Sequence, residues 1–169
     1  MEPFNSMYIA NKEFNMGIYK VYLSSTTYHW WNLYDYRWKD KLIKLVNKYN
    51  SKVRFIDPLK FKSENPIVCS RDIKDINRSN YVVVYLNKIT IGTLLELAYC
   101  IFIRKNNWCV YTKSSYVLKH PWIIALCKDN IYTDLNKISK IICKKSGKYY
   151  QRKMNFSNRK SKHGNKKTN

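Results

Sequence analysis

The 169 residues suffice for one domain of ordinary size, and a content of 45% hydrophobic and 15% aromatic residues excludes a disordered chain. The formal net charge is +21, but residues 144–169 hold ten Lys or Arg and no acidic residue, so the first 143 carry 22 basic against 11 acidic groups. The longest apolar stretch, near residues 97–103, is too short to span a bilayer, and the N-terminus holds Glu2 and Glu13 with no unbroken apolar run, which argues against a signal peptide.

Residues 1–17 show no period and read as a loose leader. Residues 18–23 (IYKVYL) are β-branched and aromatic and predict a first strand, followed by a polar loop at Ser24, Ser25, Thr26 and Thr27. Over 35–49 the apolar residues Trp38, Leu42, Leu45, Val46 and Tyr49 fall at helical spacing. Residues 53–56 form a second strand, stopped by Asp57-Pro58, and 71–77 a short helix with Ile73 and Ile76 inward. Residues 81–86 (YVVVYL) are apolar throughout, as a strand covered on both faces should be. Residues 92–105 predict a buried helix, 108–112 a fourth strand, and the stretch with His120-Pro121-Trp122 a loop. Residues 133–143 then form a last amphipathic helix through Leu135, Ile138, Ile141 and Ile142. Strands alternating with helices predict an α/β fold, a parallel sheet with helices on both faces. The domain is expected over 18–143, with a disordered basic C-terminal tail over 144–169.

Five scattered cysteines without a C-x-x-C pair, three of them in apolar runs, fit a reduced, cytoplasmic protein better than a disulfide framework. With three histidines at positions 29, 120 and 163 there is no metal-ligand spacing, and no metal or other cofactor is predicted. The basic excess attracts polyanions, nucleic acid above all, and could equally draw in phosphorylated small molecules. The same composition arises from Lys- and Asn-rich codon usage, so charge alone does not choose a partner.

In an open parallel sheet, ligands bind outside the carboxyl ends of the strands. There the candidates are Ser24 to Thr27, Asp57, the loop before Gly92, and the residues after Tyr111. Glu96 is the most informative, a carboxylate among Leu, Ala, Tyr, Cys, Ile and Phe. Thr93-x-x-Glu96 can be a capping box, with Glu96 folded back to the helix start. Alternatively, a carboxylate near a helix N-terminus is held anionic and aimed into the crevice, as covalent glycosyl transfer requires. Asp72 beside Arg71 reads by default as a cap or surface ion pair, and Tyr22 as a core tyrosine whose hydroxyl reaches a partner. His120 before Pro121-Trp122 reads as a packed turn more readily than as a catalytic base.

The order of Lys20-Val21-Tyr22-Leu23-Ser24, Asp57-Pro58, Arg71-Asp72, Ser79, the strand at 81–86, Gly92-Thr93-Leu94-Leu95-Glu96-Leu97-Ala98-Tyr99 and His120-Pro121-Trp122-Ile123 resembles the nucleoside 2-deoxyribosyltransferase family. The resemblance covers about residues 19–143, and its G-T-x-x-E-L-x-Y segment is the most specific part. It implies a flavodoxin-like fold and cleavage of the N-glycosidic bond of 2′-deoxynucleosides, with a free nucleobase as acceptor. It puts the nucleophile at Glu96, the aspartate that handles the base proton at Asp72, and the tyrosine beside the nucleophile at Tyr22. Ser24, Ser25, Asp57, Gly92 and Thr93 would then contact the substrate. The family also implies a homo-oligomer with shared sites.

The chain departs from the family pattern at Ser25-Thr26, where relatives carry Gly-Pro, at Asn80, where they carry Asp, and at Thr90. Two rival readings therefore stand beside the transferase. One is an N-hydrolase of deoxynucleoside monophosphates using the same nucleophile. The other is a non-catalytic nucleotide- or nucleic-acid-binding protein in which the tail supplies affinity and Glu96 is a cap.

Overall fold

The computed structural model describes residues 18–25, 37–58, 67–104 and 107–164. The leader at 1–17, Thr26 and Thr27, and residues 165–169 lie outside them. The elements run β1 (Tyr19–Ser25), α1 (Arg37–Asn47), β2 (Val53–Ile56), α2 (Ile67–Arg78), β3 (Tyr81–Tyr85), α3 (Ile91–Tyr99), β4 (Trp108–Tyr111), α4 (Ser115–Lys119), α5 (Pro121–Cys127), β5 (Ile131–Tyr132) and α6 (Leu135–Gly164). Every strand pair is parallel, in the order β2-β1-β3-β4-β5. This is the predicted α/β architecture, with the strand order of flavodoxin-like sheets.

Successive side chains of a strand point to opposite faces. Val21 and Leu23 therefore join one core with Trp38, Leu42 and Val46 of α1 and Leu135, Ile138 and Ile142 of α6. Tyr22 points the other way, into a second core with Ile76 of α2, Leu97 of α3 and Ile123 of α5. All of β3 is buried between the two layers, which explains its unbroken apolar run. From β1 the chain crosses to the β2 edge, and from β3 to the β4 side. Between the carboxyl ends of these two neighbours the connections diverge, and ligands of doubly wound sheets bind in the crevice so formed.

Several boundaries differ from those read by periodicity. Helix α2 begins at Ile67, directly after Pro66, a turn earlier than residue 71. The helix expected over 92–105 is α-helical to Tyr99 and then widens into a π-helical turn over Cys100–Arg104. The expected loop around His120 contains α4 and α5. Ser114 caps the first by accepting from the Val117 N–H at 3.5 Å, and Pro121 opens the second. Strand β5 has two residues, too few to show any period.

Helix α6 runs on past residue 143 to Gly164, and its next two turns are packed. Ser146 is fully buried, accepts from Asn50 Nδ2 at 2.9 Å and donates to the Cys143 carbonyl at 3.0 Å. The Tyr150 hydroxyl accepts from the Tyr19 N–H at 3.1 Å and donates to the Lys52 carbonyl at 2.8 Å. The Tyr149 ring stands edge-on to Tyr19, with centroids 5.5 Å apart. Inward positions past Cys143 are thus hydroxyl-bearing instead of aliphatic, so the apolar stripe stops before the packing does. Tyr150→Phe should cost about 1–2 kcal/mol through the two lost hydrogen bonds, read as a lower urea midpoint. An unchanged midpoint would mean that this part of α6 does not support the sheet.

Candidate active site

Helix α3 follows β3 and covers the face of the sheet to which Tyr22 points. Ser24, two residues on, points to the same face, so β1 offers two hydroxyls to whatever α3 brings there. That group is Glu96. The Tyr22 hydroxyl donates to Glu96 Oε1 at 3.0 Å, and the Ser24 hydroxyl donates to Oε2. The capping-box alternative fails on register, since α3 starts at Ile91 with Thr90 as its cap residue. Thr93 therefore lies inside the first turn, buried, where its hydroxyl oxygen accepts from Thr90 at 3.0 Å. Glu96 bonds across to β1 and not back to its own helix start.

Burial pushes the Glu96 carboxyl up to about 7; the Ser24 and Tyr22 donors act in the opposite sense, Asp72 raises it and Lys39 lowers it. Near neutral pH, protonated and anionic forms therefore coexist. Burial, then the nearby carboxylates of Glu96 and Asp72, hold the Tyr22 hydroxyl far above its ordinary range, so Tyr22 stays a neutral donor.

Asp72 stands on α2 within electrostatic reach of both groups. Arg71 holds it with Nη2 at 3.1 Å and Nε at 3.3 Å from Oδ1. Burial raises the Asp72 carboxyl against the opposing pull of Arg71. Arg71 also donates to the Pro58 carbonyl at 3.4 Å, which ties α2 to the end of β2. Tyr22, Asp72 and Glu96, from three separate segments, thus converge, with Ser24 bonded directly to Glu96.

The remaining predicted residues are placed differently. Asp57 is paired with Lys39 at 2.6 Å, and Lys39 is only 3% exposed. Ser25 ends β1, half-buried, in register with Tyr85. Gly92 lies in the exposed first turn of α3 with open space where a side chain would project. His120 joins α4 to α5; its Nδ1 is buried and has no hydrogen-bond partner among the described residues. Among the described residues, no group of three or more His, Cys, Asp or Glu is placed to hold a metal ion. No helix of the described residues is long and apolar enough to cross a membrane.

No family model and no curated protein matches the sequence. Solved structures do match in shape, among them the following two. A 2-deoxyribosyltransferase from the psychrotolerant bacterium Bacillus psychrosaccharolyticus superposes with a TM-score of 0.53 at 14% identity, over 71% of this chain and 90% of its own. The chain shares that enzyme's fold. A conserved protein from Enterococcus faecalis V583 gives a TM-score of 0.53 at 12% identity, over 74% of this chain and 97% of its own. At such identities, the likeness to the deoxyribosyltransferase is one of architecture.

Within this deoxyribosyltransferase-like fold, Lys39 is the site residue that sequence reasoning missed. It stands between Trp38 and Asp40 on an amphipathic helix, where a lysine reads as solvated. The hint in the sequence was Asp57, a carboxylate at the end of a strand.

The raised Glu96 value makes a stability prediction. Glu96 titrates near 7 when folded against 4.5 ordinarily. Its contribution to stability is therefore complete below the lower value and is lost as pH rises through the upper one. Glu96→Gln should melt with the parent at about pH 4.5 and progressively above it toward pH 8, by about 3 kcal/mol at most. A difference that does not change with pH would show that Glu96 is not desolvated.

Proposed function

We propose that the chain is a nucleoside 2-deoxyribosyltransferase with Glu96 as its nucleophile. One observation carries this reading: the Glu96 carboxylate is held by Tyr22 and Ser24 beside the carboxyl end of β1, where the β1 and β3 connections diverge. Each carboxylate oxygen has room for more than one partner, so one donor apiece orients the group without exhausting it. An anionic Glu96 attacks C1′ of the deoxyribose, an O–C1′ bond forms, and the C1′–N bond to the base breaks. Asp72, whose carboxyl is raised by burial, supplies the proton that the departing base takes up. A second nucleobase then attacks C1′, the ester bond to Glu96 breaks, and Asp72 takes the proton of the incoming base. Ser25, Gly92 and Thr93 border the same end of the sheet and would shape the sugar pocket, with Gly92 leaving the helix start open. Asp57 would serve indirectly, by fixing Lys39 near Glu96.

The exposed side of α3 supports a homo-oligomer. Ile91, Leu95 and Phe102 share one side of the helix at 80%, 65% and 68% exposure. Apolar strips of this kind mark interfaces, and a second copy lying here would border the helix that carries Glu96. The free thiols, three of them buried, suit a reducing cytoplasm. The basic C-terminal residues would add a non-specific contact to nucleic acid.

Incubation with a 2′-deoxynucleoside and a second free base should give base exchange. Release of deoxyribose without exchange would move the reading to a hydrolase, and unchanged substrates would remove the enzymatic reading. Glu96→Ala should lower exchange by at least about 10³-fold while leaving the circular dichroism spectrum intact. In the parent protein, kcat/KM should fall about tenfold per pH unit below 7, because only the ionised carboxylate attacks. A flat acid limb down to pH 5 would take the nucleophile's role away from Glu96. Leu95→Lys should reduce the molecular mass found by light scattering, whereas a parent that is already monomeric would refute the proposed assembly.

A further inference from the structure

At the opposite end of the sheet from Glu96 lies a cleft of about 620 Å³. Tyr19 at the start of β1, Asn80 before β3, Asn107 before β4 and Asn130 before β5 line it, so it opens at the amino ends of the strands. Its other wall is α6, with Lys144, Lys145 and Lys148. Among the described residues, none that lines it is acidic. Tyr150 and Ser146 fix α6 in this position, so the lysines are carried by a packed helix.

The charge has a definite layout. Lys145 Nζ stands 3.5 Å from Asn107 Oδ1 and lies over the Tyr81 ring, 5.4 Å from its centroid. Lys144 and Lys148 are exposed at a spacing of four, and Lys137 and Lys140 continue their row toward the helix start. The row extends about 16 Å along the axis. Asp134 offsets part of the charge at its far end, where Lys137 and Lys140 help hold that carboxyl below its ordinary value, after its bond from Asn136. Toward the cleft, Asp129 stands within electrostatic reach of the lining Tyr132.

We propose that this cleft and the α6 lysine row bind a single strand of nucleic acid. Three features converge on that ligand. Ammonium groups spaced along a helix match a chain of phosphates. Carboxamides and tyrosine rings beside them supply hydrogen-bond partners for base edges and a surface for stacking. The volume lies in the range that houses a single ligand unit, about 300–1,000 Å³. One nucleotide seats between Asn80, Asn107 and the half-buried rings of Tyr132 and Tyr149, and its neighbouring phosphates lie on Lys144, Lys148 and Lys140. A duplex would hide the base faces that the cleft can reach, and a lone nucleotide would leave the lysine row unused. The site is separate from Glu96 and stands whether or not the chain transfers deoxyribose.

The test uses the full chain and a fluorescein-labelled twelve-residue oligothymidylate, followed by fluorescence anisotropy. Lys144→Gln with Lys148→Gln should weaken binding at least about tenfold and reduce the salt slope of log K by about 1.4, the share of two phosphate contacts. Arg159→Gln with Lys160→Gln removes the same charge farther along the chain and should weaken binding less than about threefold. Asn107→Leu, which changes no charge, should also weaken it. Equal losses from the two charge pairs, or no loss from Asn107→Leu, would overturn the cleft as the site. Displacement of the oligomer by deoxythymidine monophosphate at matching concentration would overturn the strand as the ligand. Base exchange, where present, should be unchanged in the Lys144/Lys148 variant, so the two readings fail independently.

Discussion

The site depends on one contact, the reception of a helix-borne carboxylate by two hydroxyls of the neighbouring strand. Glu96 enters an apolar layer in which an unpartnered charge would be costly. Tyr22 and Ser24 satisfy it because the pleat sends alternate residues of β1 to the same face. The arrangement needs β1 and β3 to be parallel neighbours, since α3 leaves β3 and must lie back across β1. A slip of one residue in β1 would turn Tyr22 and Ser24 toward α1 and α6, and would put Leu23 opposite the carboxylate.

Around this contact stands a shell of paired charges. Lys39–Asp57 joins α1 to the end of β2, and Arg71 joins Asp72 and α2 to Pro58. Buried ion pairs contribute little net stability, because desolvation consumes most of the attraction. Their effect is geometric and electrostatic. They tie α1 and α2 to the end of β2, and together they hold Glu96 between competing fields, with Lys39 lowering its proton affinity and Asp72 raising it. Burial exceeds both, which places the carboxyl near neutrality and not in the ordinary acidic range.

The two ends of the sheet have opposite character. The carboxyl end gathers Glu96, Asp72 and Asp57, each with a partner. The amino end gathers asparagines, tyrosines and lysines, with no lining carboxylate among the described residues. A parallel sheet makes this separation natural, because every strand starts at one end and finishes at the other, so residues before strands never meet residues after them.

Much of the architecture was legible in the chain alone. The unbroken apolar run at 81–86 and the stripe of Trp38, Leu42 and Val46 report burial through hydrophobic periodicity, a local property. Glu96 was legible as an anomaly for the same reason, a charge among apolar neighbours. Its partner was not, because the Thr93-x-x-Glu96 spacing is equally compatible with a cap, and only the true helix start at Thr90 excludes one. Lys39, Ser146 and Tyr150 carry polar groups, which in a sequence signify solvent, yet the fold buries or engages each of them against residues from distant segments. Local pattern thus determined which segments are strands and helices and which carboxylate is unusual. Partner choice for polar groups was decided only by tertiary structure, because a hydrogen bond depends on distance in space and leaves no period in the chain.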